Sequence, residues 1–174
     1  MGRLRQFTGH PLESREVDLS QMLRALLSPR LIPVALYRLA YWCGRHRLRP
    51  VGKLLSMANM TLFGLEIGLD CEIGPGLFLP HTSGTVIGAS RIGANAVIYH
   101  NVTVGAKVPD MSYEAGLRPE IGDGVFLGAG CKVLGGIILG DNVTVGANAV
   151  VLKSVPSGCL VGGIPAVVIK RADA

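Results

Sequence analysis

Two histidines hold the chemistry available to this chain. His81 stands in Leu79-Pro80-His81-Thr82-Ser83-Gly84, and His100 follows nineteen residues later. An imidazole titrates ordinarily at about 6.5, so near neutral pH it can take a proton from a hydroxyl, which makes His81 a natural general base. A lone histidine is more often structural, and that reading stays open for both. The carboxylates Glu66, Asp70 and Glu72 lie ahead of His81 and raise a second use, a metal centre. A catalytic zinc takes about three protein ligands. The remaining histidines, His10 and His46, fall outside the repeat that carries the other two, so no metal is expected. Gly128-Ala129-Gly130 and Gly146-Ala147-Asn148 have the composition of phosphate loops, but no helix follows either. The dinucleotide fingerprint needs a strand before and a helix after, so both stretches read better as corners.

What positions these residues is a period of six. Ile121, Leu127, Val133, Leu139, Val145 and Val151 are all branched aliphatics, and glycine follows at 122, 128, 140 and 146. An α-helix would scatter such residues around its axis and bury no single face. Short strands joined by tight turns fit better, each pointing one aliphatic inward, with glycine supplying the permissive backbone of a corner. Such units cannot bury their own face, so neighbours must stack. The series opens with Ile67-Gly68, Ile73-Gly74 and Leu79-Pro80, slips at Ile87-Gly88 and Ile92-Gly93, and resumes at Ile98 and Val104-Gly105. His81 and His100 are one coil and one slipped residue apart, so they are expected on one edge, at roughly the 4.8 Å of neighbouring strands. Residues 106–120 interrupt the repeat and read as a loop thrown out from the coil, often the binding face of a solenoid. Val155-Pro156-Ser157-Gly158 closes the series. The expected architecture is mainly β: an N-terminal helical segment over 1–62, a parallel β-helix over 63–167 with the loop 106–120 inserted, and a tail over 168–174.

The composition agrees. Hydrophobic residues make up 49% and aromatics only 5%, so Val, Ile, Leu and Ala must fill the core. Cys43, Cys71, Cys131 and Cys159 show no CxxC and read as reduced and buried. Asp18 and Ser20 are placed to cap a helix over Gln21–Leu27; Ile32–Arg45 and Val51–Leu62 also read helical. Residues 1–53 hold ten Lys/Arg against three Asp/Glu, while 54–174 hold seven against nine. Two uses of the basic, amphipathic front compete: packing on the coil or a partner subunit, and peripheral attachment to an anionic membrane. No aromatic-interleaved basic patch points to nucleic acid. With no signal-peptide pattern and no long apolar span, a cytoplasmic protein is expected, with the inner face of the membrane open to it.

The repeat, His81-Thr82-Ser83-Gly84, the insertion before Ile121 and the closing Gly162-Gly163-Ile164-Pro165-Ala166 together resemble the serine acetyltransferase group of hexapeptide-repeat acyltransferases, over about Phe63–Ile169. The resemblance implies a left-handed parallel β-helix, assembled as a homotrimer or dimer of trimers with its sites between subunits, and acetyl transfer from acetyl-CoA to a hydroxyl. It implies His81 as base and Glu66, at the place of the family's aspartate, as the carboxylate beside it. It implies the Ala106 N–H as an oxyanion donor, and CoA lying along the coils against Gly128, Ala129, Gly146 and Ala147, with Lys132 or Lys153 reaching its phosphates. His100 and Arg118 fall on the acceptor side. Two departures bear on the acceptor: Pro80 stands where the family has aspartate, and Leu117-Arg118-Pro119 where it has Arg-His-Pro. With Leu36–Trp42 and His100–Gly105, they make the chain similar to colanic-acid type acetyltransferases, so the leading expectation is a sugar hydroxyl of an exopolysaccharide precursor, and L-serine the alternative.

Overall fold

The computed structural model of the chain describes residues 30–171; the segment Met1–Arg15 and the expected helix over Gln21–Leu27 lie outside them. Two helices come first, α1 (Ile32–Arg45) and α2 (Arg49–Phe63). Each carries proline in its first turn, where the ring's fixed φ suits the helix and no N–H is missed. Gly64, in the left-handed region, ends α2. The helices approach closely at Gly52, where a Cβ would lie 2.8 Å from the Ala40 carbonyl oxygen.

Fourteen short strands follow, in three sheets. The first holds β1 (Leu65–Ile67), β3 (Thr85–Ile87), β6 (Thr103–Gly105), β9 (Lys132–Leu134) and β12 (Val150–Val151). The second holds β2 (Glu72–Ile73), β4 (Arg91–Ile92), β7 (Glu120–Ile121) and β10 (Ile138–Leu139). The third holds β5 (Val97–Ile98), β8 (Phe126–Leu127), β11 (Thr144–Val145), β13 (Leu160–Gly163) and β14 (Ala166–Lys170). Pairing is parallel throughout, apart from β13 with β14. Lys132 faces Val150, Glu120 faces Ile138 and Phe126 faces Thr144, so stacked partners are eighteen residues apart. This is the expected parallel β-helix, three hexapeptides to a coil.

Most of the strands point one aliphatic inward. Ile87, Val104 and Val133 from the first sheet, Ile92 and Leu139 from the second, and Ile98, Leu127 and Val145 from the third are buried. An interior so narrow has room for branched aliphatics and little else, which accounts for the scarcity of aromatics.

The glycines of the period act differently from the expectation. Gly128, directly after an inward aliphatic, is needed because a Cβ there would stand 2.7 Å from the Ala147 nitrogen of the next coil. The left-handed corner falls two residues later, at Gly130 (φ 73°), and its counterpart one coil on is Asn148 (φ 57°). Close approach selects the first glycine and backbone conformation the second.

The helices close the first coil. Tyr37 donates its hydroxyl to the Cys71 carbonyl at 2.7 Å, Arg38 donates to the carbonyls of Ile73 and Gly74, and Arg49 makes a two-pronged pair with Asp70. At the other end the expected tail over 168–174 needs correction. Gly163-Ile164-Pro165 reverses the chain, and β14 returns antiparallel on β13, so residues 168–170 belong to the third sheet. All four cysteines are buried and unpaired. Burial pushes the Cys71 thiol up to about 11 and Cys131 to about 12, so both stay protonated, and unreactive, at neutral pH.

Two outcomes follow. Leu127→Ala should destabilise the protein by about 2–5 kcal/mol in urea unfolding, since the coil cannot collapse around a missing layer. At pH 8 a thiol reagent should leave Cys71 and Cys131 unlabelled in the native protein and label both promptly once it is unfolded.

Candidate active site

His81 sits on the edge where the third sheet turns into the first, just before β3. Its exposed ring stands 5.7 Å, centroid to centroid, from that of His100, at an interplanar angle of 82°. The coil's own backbone makes this pairing. The Asn101 N–H donates to the Ser83 carbonyl at 2.9 Å and the Gly130 N–H to the His100 carbonyl at 2.9 Å, so successive corners are bonded in a column. Thr82 Oγ1 donates to the Phe63 carbonyl at 2.7 Å and fixes the backbone beyond His81 to the end of α2. His81 borders an open cavity of about 530 Å³ together with Arg30, Leu62, Phe63, Gly64 and Ser83.

His100 differs from His81 in one respect that bears on chemistry. Its Nδ1 is buried and has no hydrogen-bond partner. The exposed ring of His81 is the better placed of the two to meet a substrate hydroxyl.

Glu66 does not join them. It is exposed on the outer face of β1, makes no hydrogen bond to either ring, and borders another cavity, of about 320 Å³, with Lys53, Ser56, Met57 and Met60. Asp70 is paired with Arg49, and among the described residues no three His, Cys, Asp or Glu converge on one point.

The residues expected along CoA fall on two edges of the first sheet. Gly128, Ala129, Gly146 and Ala147 continue the histidine edge, with the Asn148 N–H bonded to the Ala129 carbonyl at 2.8 Å. Lys132 lies beside that edge and donates to the Asn101 carbonyl at 2.6 Å. Ala106 and Lys153 lie on the opposite edge, where the first sheet turns into the second; Lys107 there reaches the Leu152 carbonyl at 3.2 Å. The outer face of the sheet, carrying Val86, Thr103, Lys132 and Val150, separates the two groups.

Arg118 departs from the expectation of an acceptor contact, because its nitrogens are used within the inserted loop. It donates to Asp110 Oδ2 at 2.9 Å, to the Asp110 carbonyl and to the Gly88 carbonyl, and it lies 3.6 Å over the Tyr113 ring. The pair is nearly sealed, with Arg118 11% and Asp110 2% exposed. Burial acts to raise the Asp110 carboxyl, but hydrogen bonds from Ser112, Arg118 and Glu114 outweigh it and hold the group below the usual carboxylate range. Tyr113 donates its hydroxyl to the Ala89 carbonyl at 2.9 Å and packs against Gly68. The loop is thus folded onto the coil, ending in a short 3-10 turn over Ala115–Leu117. Asp110 and Tyr113 escaped the sequence reading; the Asp110-x-Ser112 turn and the lone aromatic of the insertion were the available signals.

Comparison with known proteins bears on what this edge does. The bacterial transferase hexapeptide pattern (six repeats) matches residues 118–153. The serine acetyltransferase of Synechococcus elongatus is 40% identical over 149 residues, covering 84% of this chain and 59% of that protein. That of Helicobacter pylori is 39% identical over 147 residues, covering 84% of each. The serine acetyltransferase structure from Brucella abortus superposes with a TM-score of 0.73 at 33% identity, over 80% of this chain and 55% of that one, and its complex with coenzyme A superposes with a TM-score of 0.73 at 32% identity. The chain thus spans little more than half the length of some of these relatives and most of the length of others.

These likenesses overturn the sugar acceptor of an exopolysaccharide precursor. That expectation rested on the likeness of Leu36–Trp42 and His100–Gly105 to colanic-acid type enzymes and on Pro80 and Arg118, two positions where the family's acceptor contacts are missing. Losing a contact weakens one acceptor without specifying another, and Arg118 is occupied elsewhere. The likeness across 84% of the chain runs to serine acetyltransferases.

The loop anchor makes a pH prediction. A carboxyl whose folded value is depressed contributes stability above its ordinary value, about 3.9, and loses it as pH falls through the folded value. Limited proteolysis within residues 106–119 should therefore be slow at pH 7, rise below about pH 4, and be fast at pH 7 in Arg118→Ala.

Proposed function

Because the chain belongs to the serine acetyltransferase family, we propose that it transfers the acetyl group of acetyl-CoA to the hydroxyl of L-serine, releasing O-acetylserine and coenzyme A. The observation that carries the reading is the His81–His100 pair, set on an edge that continues through the Gly128-Ala129 and Gly146-Ala147 corners. The coenzyme A complex of the Brucella abortus relative supports that cosubstrate.

In this reading His81 takes the hydroxyl proton as the serine oxygen attacks the thioester carbonyl, then returns it to the departing sulfur. The ring of His100, one coil on, orients the attacking oxygen or the carbonyl. Glu66 stands exposed on the outer face of β1, so its carboxylate has to swing from that face to stabilise the imidazolium's charge. The Ala106 N–H receives the oxyanion. The pantetheine arm lies against the outer face of the first sheet, with Lys132 or Lys153 near the phosphates. Ala106 and the histidines occupy opposite edges of that sheet, so one chain does not bring them together. A neighbouring subunit's edge does, in a homotrimer or a dimer of trimers. Exposed Val86, Phe78 and Ile138 on the coil suit such contacts.

Purified protein should release coenzyme A thiol from acetyl-CoA when L-serine is added. His81→Ala should lower turnover by about 10²–10⁴-fold, the usual contribution of general-base catalysis. Glu66→Gln should cost less, and His100→Ala less than His81→Ala. Thiol release that is no faster with L-serine than without it would reject the acceptor; a dead His100→Ala beside an active His81→Ala would reverse the assignment of the base.

A further inference from the structure

The helical pair presents a surface that neither the coil nor the candidate active site accounts for. Along α1, Leu31, Ala35, Leu39, Trp42 and His46 recur at helical spacing and are exposed. Along α2, Val51, Leu54, Met57 and Met60 are exposed, Leu54 and Met57 at 63%. Large exposed apolar area of this kind is uncommon on a surface that meets only water.

Charge selects the occupant. Residues 30–63 contain six Lys/Arg and no Asp or Glu. Arg38 is committed to the first coil and Arg49 to Asp70, while Arg45, Arg47 and Lys53 are exposed beside the apolar residues. The adjoining carboxylates, Glu66 and Asp70, belong to the first coil, and Asp70 is neutralised by Arg49. A second copy of the same face would bring cations against cations as it buried the apolar stripe. A surface that is apolar, offers negative charge and needs no shape complementarity avoids that conflict. Neither helix is long and apolar enough to cross a membrane. An apolar arc rimmed by cations is instead the arrangement of a helix lying in the interface.

We propose that α1 and α2 dock the protein on an anionic lipid bilayer, with Leu54, Met57 and Trp42 entering the headgroup region and Arg45, Arg47 and Lys53 pairing with lipid phosphates. The proposal is independent of the acceptor, because the surface lies on the helices rather than on the histidine edge.

Trp42 is the chain's one tryptophan and is 51% exposed, so its emission reports on this surface. The 174-residue chain should be titrated with vesicles of equal phosphatidylglycerol and phosphatidylcholine, and with vesicles of phosphatidylcholine alone. Emission should move to the blue and the protein should sediment with the anionic vesicles, far less with the neutral ones, and less as salt is raised. Leu54→Ser with Met57→Ser should weaken partitioning by about tenfold or more. Arg45→Gln and Lys53→Gln should each weaken it by about fivefold on the anionic vesicles. Both sets change exposed side chains, and circular dichroism would verify that the fold is kept. Unchanged emission with anionic vesicles, or binding indifferent to lipid charge and to all these substitutions, would overturn the proposal. So would emission already blue and shielded from acrylamide before vesicles are added, which would show that another part of the chain or a second copy covers the face.

Discussion

Everything in this molecule depends on coils that stack with no slack. Parallel pairing holds each strand at the hydrogen-bonding distance from those above and below, and at the corners backbone meets backbone. A Cβ at Gly128 would reach the Ala147 nitrogen and one at Gly122 the Asp141 nitrogen, at 2.7 and 2.8 Å. Once that spacing is set, the interior takes one aliphatic from most strands, the corners alternate crowded and left-handed positions, and side chains at equivalent places form columns along the edges. The histidine pair is one of these columns. It needs no dedicated scaffold, only histidine at equivalent corners of consecutive coils.

That constraint explains what could be read in advance. A period of six with branched aliphatics is a direct record of the stacking, so the parallel coil, the insertion and the neighbourhood of His81 and His100 were legible from residue type and spacing. The span of α1 was legible too, from the helical spacing of its apolar residues. Details set by three-dimensional approach were hidden. Which glycine is crowded and which is left-handed depends on the next coil, eighteen residues away. The strand β14 carries no hexapeptide signal, because it leaves the coil and pairs back on its edge.

The closeness of the two histidines was legible, and their surroundings were obscure. Pro80 and Arg118 suggested a changed acceptor because each replaces a residue type that could touch one. Arg118 proved to be held by Asp110 and Gly88, a partnership that no local spacing announces. Glu66 was placed beside His81 by resemblance, yet an outward position on β1 sends its side chain across the sheet's outer face. Ala106 and the histidines lie on opposite edges of one sheet, which is why the reading of the site turns to neighbouring subunits.

The inserted loop leaves the coil after Gly105 and returns at Glu120, and the strands on either side keep their register, with Thr103 facing Lys132 and Arg91 facing Glu120. It is anchored by its own Asp110 and Arg118 and rests on carbonyls of the coil, so it behaves as a plug-in lobe on a ruler whose graduations it does not disturb. Thr103 and Lys132 stand twenty-nine residues apart where an uninterrupted coil has eighteen. The lobe therefore has eleven residues to vary in length and content before the coil registers any change. A scaffold of this kind can acquire a new surface by exchanging one segment, while the edge that holds the histidines stays as it was.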